Sequence, residues 1–352
     1  MYRGATVGVV LPAYNEEGFV GDVIREMPDY VDRIYAIDDR STDNTWGEIL
    51  EAASQDADTV PTDEVASDTP LVTDGGASAL TERASVADPV GRVVPIRHRE
   101  NCGAGGAIKT GYLAASEDEL DATVTVDADG QMDLSQMPRL LDPLVEDEAD
   151  YAKGNRLLSR EYREAMPRFR FVGNAILTFL TKIASGYWKT MDPQNGYTAI
   201  SADALEAVDL ENLYEYYGYC NDLLVKLNVQ GMRVADVAMP AVYGDEESSI
   251  TYSQYIPKVS TMLLRNFLWR LKTKYLVVDF HPLALFYLVG AATAVTGLLG
   301  VGVALAAAVV GFLPSLVGGS TGLLVFLAGV AFLLFAMVFD MAESEHLERQ
   351  VH

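Results

Sequence analysis

Short runs of apolar and β-branched residues alternate with helix-like segments over the first two thirds of the chain. We predict buried strands at residues 6–11, 33–37, 93–96, 123–126 and 151–153. Helices are predicted between them, as at residues 18–27 and 45–53. This alternation predicts an α/β domain over residues 1–250, Rossmann-like, with a mostly parallel sheet and helices on both faces. Ligands of such sheets bind at the carboxyl ends of the strands.

The C-terminal third is far more apolar than the rest of the chain. Residues 282–312 and 322–339 contain no charged side chain, and about 20 apolar residues suffice to cross a bilayer. We therefore predict a two-helix transmembrane hairpin over residues 281–342, followed by a tail at residues 343–352. Four basic residues precede the first span, and none lies in the turn between the spans: Arg265, Arg270, Lys272 and Lys274. The charge bias predicts a multi-pass protein of the cell membrane with the catalytic domain and both termini in the cytoplasm.

Residues 251–280 mix apolar and basic side chains at helical spacing. This pattern is typical of a juxtamembrane amphipathic helix that lies on the bilayer surface. A helix that packs on the soluble domain has the same pattern, and the two interpretations are compatible.

Residues 54–91 interrupt the alternation of strands and helices. The segment is rich in Asp, Thr, Ala, Ser, Gly and Pro, and its one basic residue is Arg83. We predict a flexible acidic insertion without a catalytic role.

The charge of the chain excludes one class of partner. Fifty acidic residues face 26 basic ones, eight of them lysine, and the formal net charge is −24. Such a surface disfavours nucleic acid, and it is typical of proteins from salt-loving organisms such as halophilic archaea, where ions screen self-repulsion. An ordinarily acidic protein is the alternative. Cys102 and Cys220 lie far apart and indicate neither a disulfide framework nor a zinc site.

Polar residues follow the first two predicted strands. The first strand runs into residues 12–17 and the second into residues 38–45. A carboxylate there can accept hydrogen bonds from a base or ribose, and an aromatic ring can stack on the base. Capping of the next helix is the alternative. We favour the capping role for Asp43 and the binding role for Asp38 and Asp39.

The strand at residues 123–126 leads directly into Asp127, Asp129 and Gln131. In an extended segment alternate residues point the same way, so three oxygen-bearing side chains would share one side. Hard divalent cations prefer oxygen ligands and are often shared with substrate phosphates. The segment therefore predicts a site for Mg²⁺ or Mn²⁺.

Glycines at positions 103, 105, 106 and 111 open a predicted helix that carries Lys109. Such a helix start can bind an anion through its free N–H groups, with the lysine as counter-charge. Close packing of the helix on the sheet explains the glycines equally well.

Four motifs appear in one order along the chain. They read Val-Leu-Pro-Ala-Tyr-Asn-Glu-Glu, Ile-Asp-Asp-x-Ser-x-Asp-x-Thr, Asn-x-Gly-x-Gly-x-Ala-Ile-Lys-x-Gly and Asp-Ala-Asp-Gly-Gln. Residues 6 to about 245 resemble the inverting family 2 glycosyltransferases of GT-A fold. They are most similar to the subgroup of dolichyl-phosphate mannose synthase and polyprenyl-phosphate glucosyltransferases, which the membrane hairpin also fits.

The resemblance implies roles for residues at the donor site. Nucleoside contacts are implied for Pro12, Tyr14, Glu16, Asp39 and Asp127. Their positions add three further candidates to the nucleotide site: Ala13, Asp38 and Lys109. The resemblance gives the metal ion to Asp129 and Gln131, beside Asp127. We take Asp127, Asp129 and Asp222 as the catalytic candidates, Asp222 either assisting near the donor or acting structurally.

Arginines indicate where an acceptor phosphate binds. Arg156 follows a strand, and Arg168, Arg170 and Asn174 lie on the next segment, with the last two at i, i+4 spacing. Arginine forks bind phosphate, and the resemblance places the acceptor phosphate here. Solvated arginines on an exposed helix are the alternative. The family's Ser-Gly-Phe and Arg-x-x-Gly-x-Ser-Lys elements are replaced by residues 192–197 and 243–249.

We predict inverting transfer of a hexose from GDP-mannose or UDP-glucose to a polyprenyl (dolichyl) phosphate, feeding glycan assembly. A lipid monophosphate is already anionic near neutral pH, so the reaction requires no general base. Asp222 and Asp192 are the candidates if a base is used. The alternatives are transfer to another lipid or to a polysaccharide, and a non-catalytic membrane scaffold that binds nucleotides. Oligomeric state is left open.

Overall fold

The structure is a computed structural model that describes residues 1–59, 79–158, 168–240, 252–310 and 315–352. Its β-strands are β1 (Val7–Ala13), β2 (Arg33–Asp38), β3 (Ala84–Val86), β4 (Val93–His98), β5 (Ala122–Thr125), β6 (Tyr151–Asn155), β7 (Thr198–Ser201), β8 (Val234–Ala238) and β9 (Glu348–Val351). Its α-helices are α1 (Val20–Arg25), α2 (Thr45–Thr59), α3 (Ala79–Arg83), α4 (Ala104–Glu117), α5 (Met137–Val145), α6 (Arg168–Ser185), α7 (Ala202–Ala207), α8 (Tyr219–Val229), α9 (Tyr252–Lys272), α10 (Leu283–Val309) and α11 (Ser315–Ser344).

The described strands form one sheet in the order β3-β4-β2-β1-β5-β7-β6-β8-β9. Six of its eight pairings are the following: β1 with β2, β1 with β5, β2 with β4, β6 with β8 and β8 with β9 in parallel, and β3 with β4 antiparallel. The remaining two join β7 antiparallel to β5 and β6. The predicted strands all occur, each within two residues of its expected ends. The predicted α/β class with a mostly parallel sheet is confirmed.

Two hydrophobic cores lie on opposite faces of the sheet. One face of β1 contributes Val9 to the core beneath α1, α2 and α5. The next residue, Val10, points to the other face and packs with α4 and α8. Because neighbouring side chains of a strand face opposite ways, a strand apolar on both faces must be covered by helices on both sides. The predicted three-layer arrangement is observed.

Two segments differ from the expectation. The predicted insertion at residues 54–91 contains the end of α2, then α3 and β3, while residues 60–78 lie outside the described residues. The predicted tail at residues 343–352 is not a free extension, because β9 adds to the sheet beside β8, with Val234 opposite Glu348. A four-residue edge strand has too little apolar alternation to be recognised in a sequence.

Helix α9 continues as a π-helical turn at Thr273–Val278 and leads into the apolar helices. One face of α9 is buried against α6 and α8, with Val259 and Leu263 in that contact. Its other face exposes Leu264, Leu268 and Trp269. The helix therefore packs on the domain and also presents an apolar surface, so the two interpretations of this segment hold together.

Helices α10 and α11 are long and apolar enough to cross a membrane. They run antiparallel, since Gly290 lies beside Leu333 while Gly297 lies beside Phe326. The return strand β9 brings the end of the chain back to the sheet. Both free ends of the helical hairpin therefore point towards the α/β domain.

Candidate functional site

A polar cleft lies at the carboxyl end of β5. The cleft is partly open to solvent. It is lined by Asp127, Asp129, Gln131, Met132, Asp133, Gln136, Arg156, Gln194, Asn195, Gly196, Tyr197, Met239 and Pro240. The three predicted metal ligands thus face the same cleft.

The chain reaches this arrangement through a turn and not through the extended segment that we expected. Strand β5 ends at Thr125, and Gly130 adopts a φ of 72°, which favours glycine. A carboxylate oxygen of Asp129 accepts a hydrogen bond from the backbone N–H of Gln131 at 2.9 Å. The turn folds the segment back, and this brings the side chains of Asp127, Asp129 and Gln131 to one side.

The electrostatics of Asp127 suit a cation. Burial, and after it the negative charge of Asp129, raises the pKa of Asp127 to about 7, although Arg156 acts in the opposite direction. Burial alone can raise a carboxyl pKa this far, and a cation bound beside Asp127 would lower it again. Two carboxylates and an amide oxygen are ligands that fit Mg²⁺ or Mn²⁺.

Arg156 adds a cationic side chain to the lining of the cleft. Its Nε and Nη2 atoms donate to the two carboxylate oxygens of Asp192 at 2.7 and 2.8 Å, and its backbone N–H donates to the same side chain at 3.1 Å. Burial alone would raise the pKa of Asp192, but the hydrogen bonds and charge of Arg156 outweigh burial and hold that pKa below its usual value. Asp192 is therefore a weak base, and its role is to orient the guanidinium.

Asp39 is buried at the end of β2 and is fully engaged by neighbours. Its carboxylate accepts the backbone N–H groups of Cys102 and Gly103 at 2.7 and 2.8 Å, and it contacts Nδ1 of His98 at 2.7 Å. The ligand atoms of Asp39, His98 and Cys102 lie within 4.8 Å of one another. Because Nε2 of His98 is bonded to Thr110, hydrogen bonds account for this cluster without a metal ion.

Asp38 is also buried, where it accepts the backbone N–H of Ser41 at 2.8 Å and pairs with Arg97. The predicted capping role of Asp43 is confirmed. Its carboxylate accepts the backbone N–H of Thr45 at the start of α2, at 3.0 Å, and the Thr45 hydroxyl at 2.6 Å. The carboxylates after β2 thus hold the loops in place, and neither Asp38 nor Asp39 reaches the cleft.

Hydrogen bonds join the loop after β1 to the loop after β2. The side chain of Asn15 accepts the backbone N–H of Thr42 at 2.8 Å, and the hydroxyl of Thr45 accepts the N–H of Glu16 at 2.8 Å. Ala13 is buried and Pro12 is half-buried, whereas the ring of Tyr14 is exposed. Of the candidates in this segment, Tyr14 is the one placed to stack on a ligand.

The glycine-rich helix α4 is packed tightly, as the second interpretation of its sequence holds. A Cβ at Gly111 would overlap the side chain of Val10, and one at Gly105 would overlap the backbone at Tyr214. Lys109 is buried and donates to the carbonyl of Glu211 at 2.6 Å and to the carboxylate of Glu215 at 2.9 Å. Lys109, the predicted counter-charge for the nucleotide, therefore already pairs with groups of the protein itself.

The remaining candidates lie on helices α6 and α8. Asn174 is half-buried on α6, while the side chains of Arg168 and Arg170, near the start of that helix, lie outside the described residues. Asp222 on α8 accepts the backbone N–H of Tyr214 at 2.9 Å and the side chain of Asn266 at 2.6 Å. Burial raises the pKa of Asp222. The structure does not bring Asp222 to the cleft; it joins α8 to α9.

Sequence reasoning missed part of the cleft wall. Gln194 and Asn195 line the cleft, and Asp192 orients Arg156. The polar, turn-forming string Asp-Pro-Gln-Asn-Gly at residues 192–196 was the available signal. The sequence alone makes Asp192 a candidate base and marks residues 192–197 as a departure from the family, but it does not assign Gln194 or Asn195 to the site.

Comparison with known proteins finds similarity to glycosyltransferases. The family model described as Glycosyl transferase family 2 matches residues 71–209. The UDP-N-acetylglucosamine–dolichyl-phosphate N-acetylglucosaminyltransferase of Methanococcus voltae is 27% identical over 236 residues, which is 67% of this chain and 85% of the relative. The undecaprenyl-phosphate mannosyltransferase of Micrococcus luteus is 30% identical over 141 residues, 40% of this chain and 57% of the relative.

Among solved structures, the chain is similar to mannosyl-3-phosphoglycerate synthase from Rubrobacter xylanophilus. The identity is 16%, the TM-score is 0.49, and the match covers 79% of this chain and 77% of the other.

Proposed function

We propose that this chain is a family 2 glycosyltransferase that transfers one sugar from a nucleotide-sugar to a polyprenyl phosphate at a membrane surface. The observation that carries the proposal is the cleft itself, where Arg156 lines the same cavity as the three predicted metal ligands. A carboxylate wall suits a phosphate-bound cation, and a guanidinium wall suits a second phosphate. The two named relatives, which carry dolichyl and undecaprenyl phosphate in their names, support this acceptor class.

On the donor side, Asp127, Asp129 and Gln131 would hold Mg²⁺ or Mn²⁺. Such an ion neutralises negative charge on a departing nucleoside diphosphate. We place the nucleoside over the ends of β1 and β2, where the exposed ring of Tyr14 offers a stacking face. Pro12, Ala13, Glu16, Asp38 and Asp39 would shape that surface, with Asp39 acting through the loop that it fixes.

On the acceptor side, Arg156 would bind the lipid phosphate, with Arg168, Arg170 and Asn174 completing the site from α6. A phosphate oxygen attacks the anomeric carbon from the side opposite the leaving group. The new oxygen–carbon bond forms as the bond to the nucleoside diphosphate breaks, and the diphosphate departs with the electron pair. Because the phosphate is already ionised, no residue needs to remove a proton. This agrees with Asp192 being held by Arg156.

The membrane location rests on two surfaces of the protein. Helices α10 and α11 are long and apolar enough to span a bilayer, and their ends both face the domain. The apolar face of α9, with Leu264 and Leu268, would lie on the same bilayer surface. Basic residues ahead of the first span, among them Arg265, support a cytoplasmic position for the domain and both termini.

The experiment is transfer by the full-length protein in detergent. Purified protein is incubated with Mg²⁺ or Mn²⁺, a polyprenyl phosphate and one labelled donor at a time: UDP-N-acetylglucosamine, UDP-glucose or GDP-mannose. We expect label in the lipid phase with one of the three donors. Absence of label with every donor, together with no binding of UDP or GDP, would overturn the proposal.

Two variants make the assay specific. Asp129→Ala removes a cation ligand and should lower transfer by roughly a hundredfold or more while the protein still folds. Asp203→Ala removes an exposed carboxylate at the start of α7 and should leave transfer unchanged. A folded Asp129→Ala protein that transfers like the wild type would contradict the assignment of the cleft.

A further inference from the structure

The chain leaves the α/β domain at α9, forms the apolar hairpin and then returns to the same sheet. Strand β9 pairs in parallel with β8 along its whole length, from Val234 opposite Glu348 to Val237 opposite Val351. It follows α11 after a short 3₁₀ turn at Glu345–Leu347. The edge strand β9 of the sheet is therefore formed by residues that follow the apolar hairpin in the chain.

Glu348 of β9 binds a stretch of backbone that precedes the cleft wall. Its carboxylate accepts the backbone N–H groups of Trp188, Lys189 and Thr190 at 2.7, 2.6 and 2.9 Å, and the Thr190 hydroxyl at 3.2 Å. Gln350 adds a hydrogen bond from its side chain to the Lys189 carbonyl at 3.1 Å. Three successive N–H groups directed at one carboxylate are a strong, charge-assisted arrangement.

The segment that Glu348 holds continues directly into the cleft. Met191 follows, with its N–H bound by Asp236 and its carbonyl bound by Lys153, both buried in the sheet. Next comes Asp192, which orients Arg156, and then the residues 194–197 that line the cleft. The position of the arginine wall thus depends on a loop that is anchored at one end by β9.

We propose that Glu348 is a positioning residue for sugar transfer, and that strand β9 couples the membrane hairpin to the acceptor side of the cleft. Glu348 touches no substrate; it acts through residues 188–192 on Arg156. The proposal rests on the cleft being the transfer site. A misplacement of about 1 Å in such a wall can cost roughly a hundredfold in rate.

The assignment predicts a selective defect. Metal and nucleoside bind at the β5 and β1 side of the cleft, which Glu348 does not contact. Replacing Glu348 with Ala should therefore lower kcat and raise KM for the lipid phosphate, with kcat/KM falling roughly ten- to hundredfold. Binding of the nucleoside diphosphate with Mn²⁺ should stay within about threefold of wild type.

The test compares four full-length proteins in detergent: wild type, Glu348→Ala, Glu348→Gln and Arg349→Ala. Glu348→Gln keeps an oxygen acceptor in the same place, so it should recover part of the activity that Glu348→Ala loses. It also replaces the alanine variant in the test if that variant does not fold. Arg349 lies next to Glu348 on β9 and pairs at the surface with Glu148. Its variant therefore controls for the loss of a side-chain contact made by this strand. Hydrogen exchange is measured at residues 188–197 alongside transfer.

We expect Glu348→Ala to speed exchange through residues 188–197, with Arg349→Ala close to wild type in exchange and transfer. Faster exchange confined to residues 188–190, or unchanged transfer by Glu348→Ala, would overturn the positioning role. If the wild type transfers from no donor, the proposed function fails. The exchange pattern then still decides whether Glu348 holds the cleft wall.

Discussion

The carboxylate of Asp192 accepts two hydrogen bonds from the guanidinium of Arg156, one from Nε at 2.7 Å and one from Nη2 at 2.8 Å. The aspartate is buried and the arginine is partly exposed at the cleft. The pair therefore holds the guanidinium of Arg156 at the cleft, while the carboxylate of Asp192 stays out of solvent. Such a pair would suit the proposed contact between Arg156 and the acceptor phosphate in an otherwise strongly acidic chain.

Removing the charge of Asp192 should destabilise the protein in a pH-dependent way. In Asp192→Asn, the guanidinium of Arg156 loses its buried partner, and the free energy of unfolding at pH 7 should fall by about 3 kcal/mol. Since the pKa of Asp192 is lowered in the folded protein, its stabilisation is present above pH 4 and is lost as the pH falls through the folded pKa.

This prediction is checked by denaturant unfolding of variant and wild type at pH 7 and pH 3. The difference between them should shrink at the lower pH, because the Asp192 carboxyl of the unfolded wild type is then largely protonated and must lose that proton to form the ion pair on folding. Asp203→Asn, on an exposed helix start, should show no such difference at either pH. An equal loss of stability at both pH values would contradict the ion-pair explanation.

Cation binding should strengthen as the pH rises through 7. Burial and the charge of Asp129 raise the pKa of Asp127 to about 7, so Asp127 is mostly protonated at pH 6 and mostly ionised at pH 8. A proton competes with the cation for the same oxygens, so the Kd for Mn²⁺ should drop about tenfold between these pH values.

Titration with Mn²⁺ by electron paramagnetic resonance at pH 6 and pH 8 measures this effect. Asp127→Asn should bind Mn²⁺ more weakly and with little pH dependence, because the titrating group is gone. Equal wild-type affinities at the two pH values would argue against Asp127 as a ligand.

The two apolar helices are packed so closely that one glycine cannot be replaced. A Cβ at Gly297 of α10 would overlap the backbone nitrogen and Cα of Phe326 on α11. Gly297→Ala should therefore force the helices apart and cost about 1–3 kcal/mol. Gly302, on the same helix, has no atom within 4 Å of an added Cβ, so Gly302→Ala should be neutral or slightly stabilising.

Thermal melting of both glycine variants in the same detergent compares the two sites directly. A lower Tm for Gly297→Ala alone is expected. The same Tm for both variants would show that the helices are not in contact at Gly297.

A buried ion pair joins the hairpin to the domain. Arg270 of α9 donates to Asp340 of α11 at 2.8 Å from Nη1 and at 2.7 Å from Nη2, and its Nε donates to the carbonyl of Ala184 at the end of α6 at 2.8 Å. Asp340→Asn leaves the buried guanidinium without its counter-charge and should cost about 3–5 kcal/mol.

The measurement is the Tm of Asp340→Asn against that of Glu343→Gln, a neighbour on α11 whose side chain is 42% exposed. Only the former should melt early. If both variants melt at the wild-type temperature, the hairpin does not depend on this pair.

Local patterns in the sequence were sufficient for much of the fold. Five of the buried strands, the two apolar helices and the polar residues after β5 are predicted by the sequence, because each is encoded within a few neighbouring residues. The buried strands β7 and β8 are not among the predicted ones. The pairing of Arg156 with Asp192 spans 36 residues, and that of Glu348 with Trp188 spans 160. No local pattern encodes such contacts, so they emerge only from the folded chain.

The donor candidates show a second limit of sequence reasoning. Asp39 stands out by its position at a strand end and Lys109 by its position on a glycine-rich helix. Neither position could decide between binding a ligand and binding the protein. His98 lies 59 residues from Asp39, and Glu215 lies 106 residues from Lys109, so their partners could not be anticipated. The high-salt origin inferred from the net charge stays a prediction.

The most direct test of the account is the chemical identity of the lipid product. Full-length protein is supplied with polyprenyl phosphate, a divalent cation and the donor that labels lipid, and the product is analysed by mass spectrometry and by NMR at the anomeric carbon. The account predicts a polyprenyl phosphate that carries one sugar, with the anomeric configuration inverted relative to the donor. A polymer of several sugars, a product with retained configuration, or free sugar released with no glycolipid would contradict it.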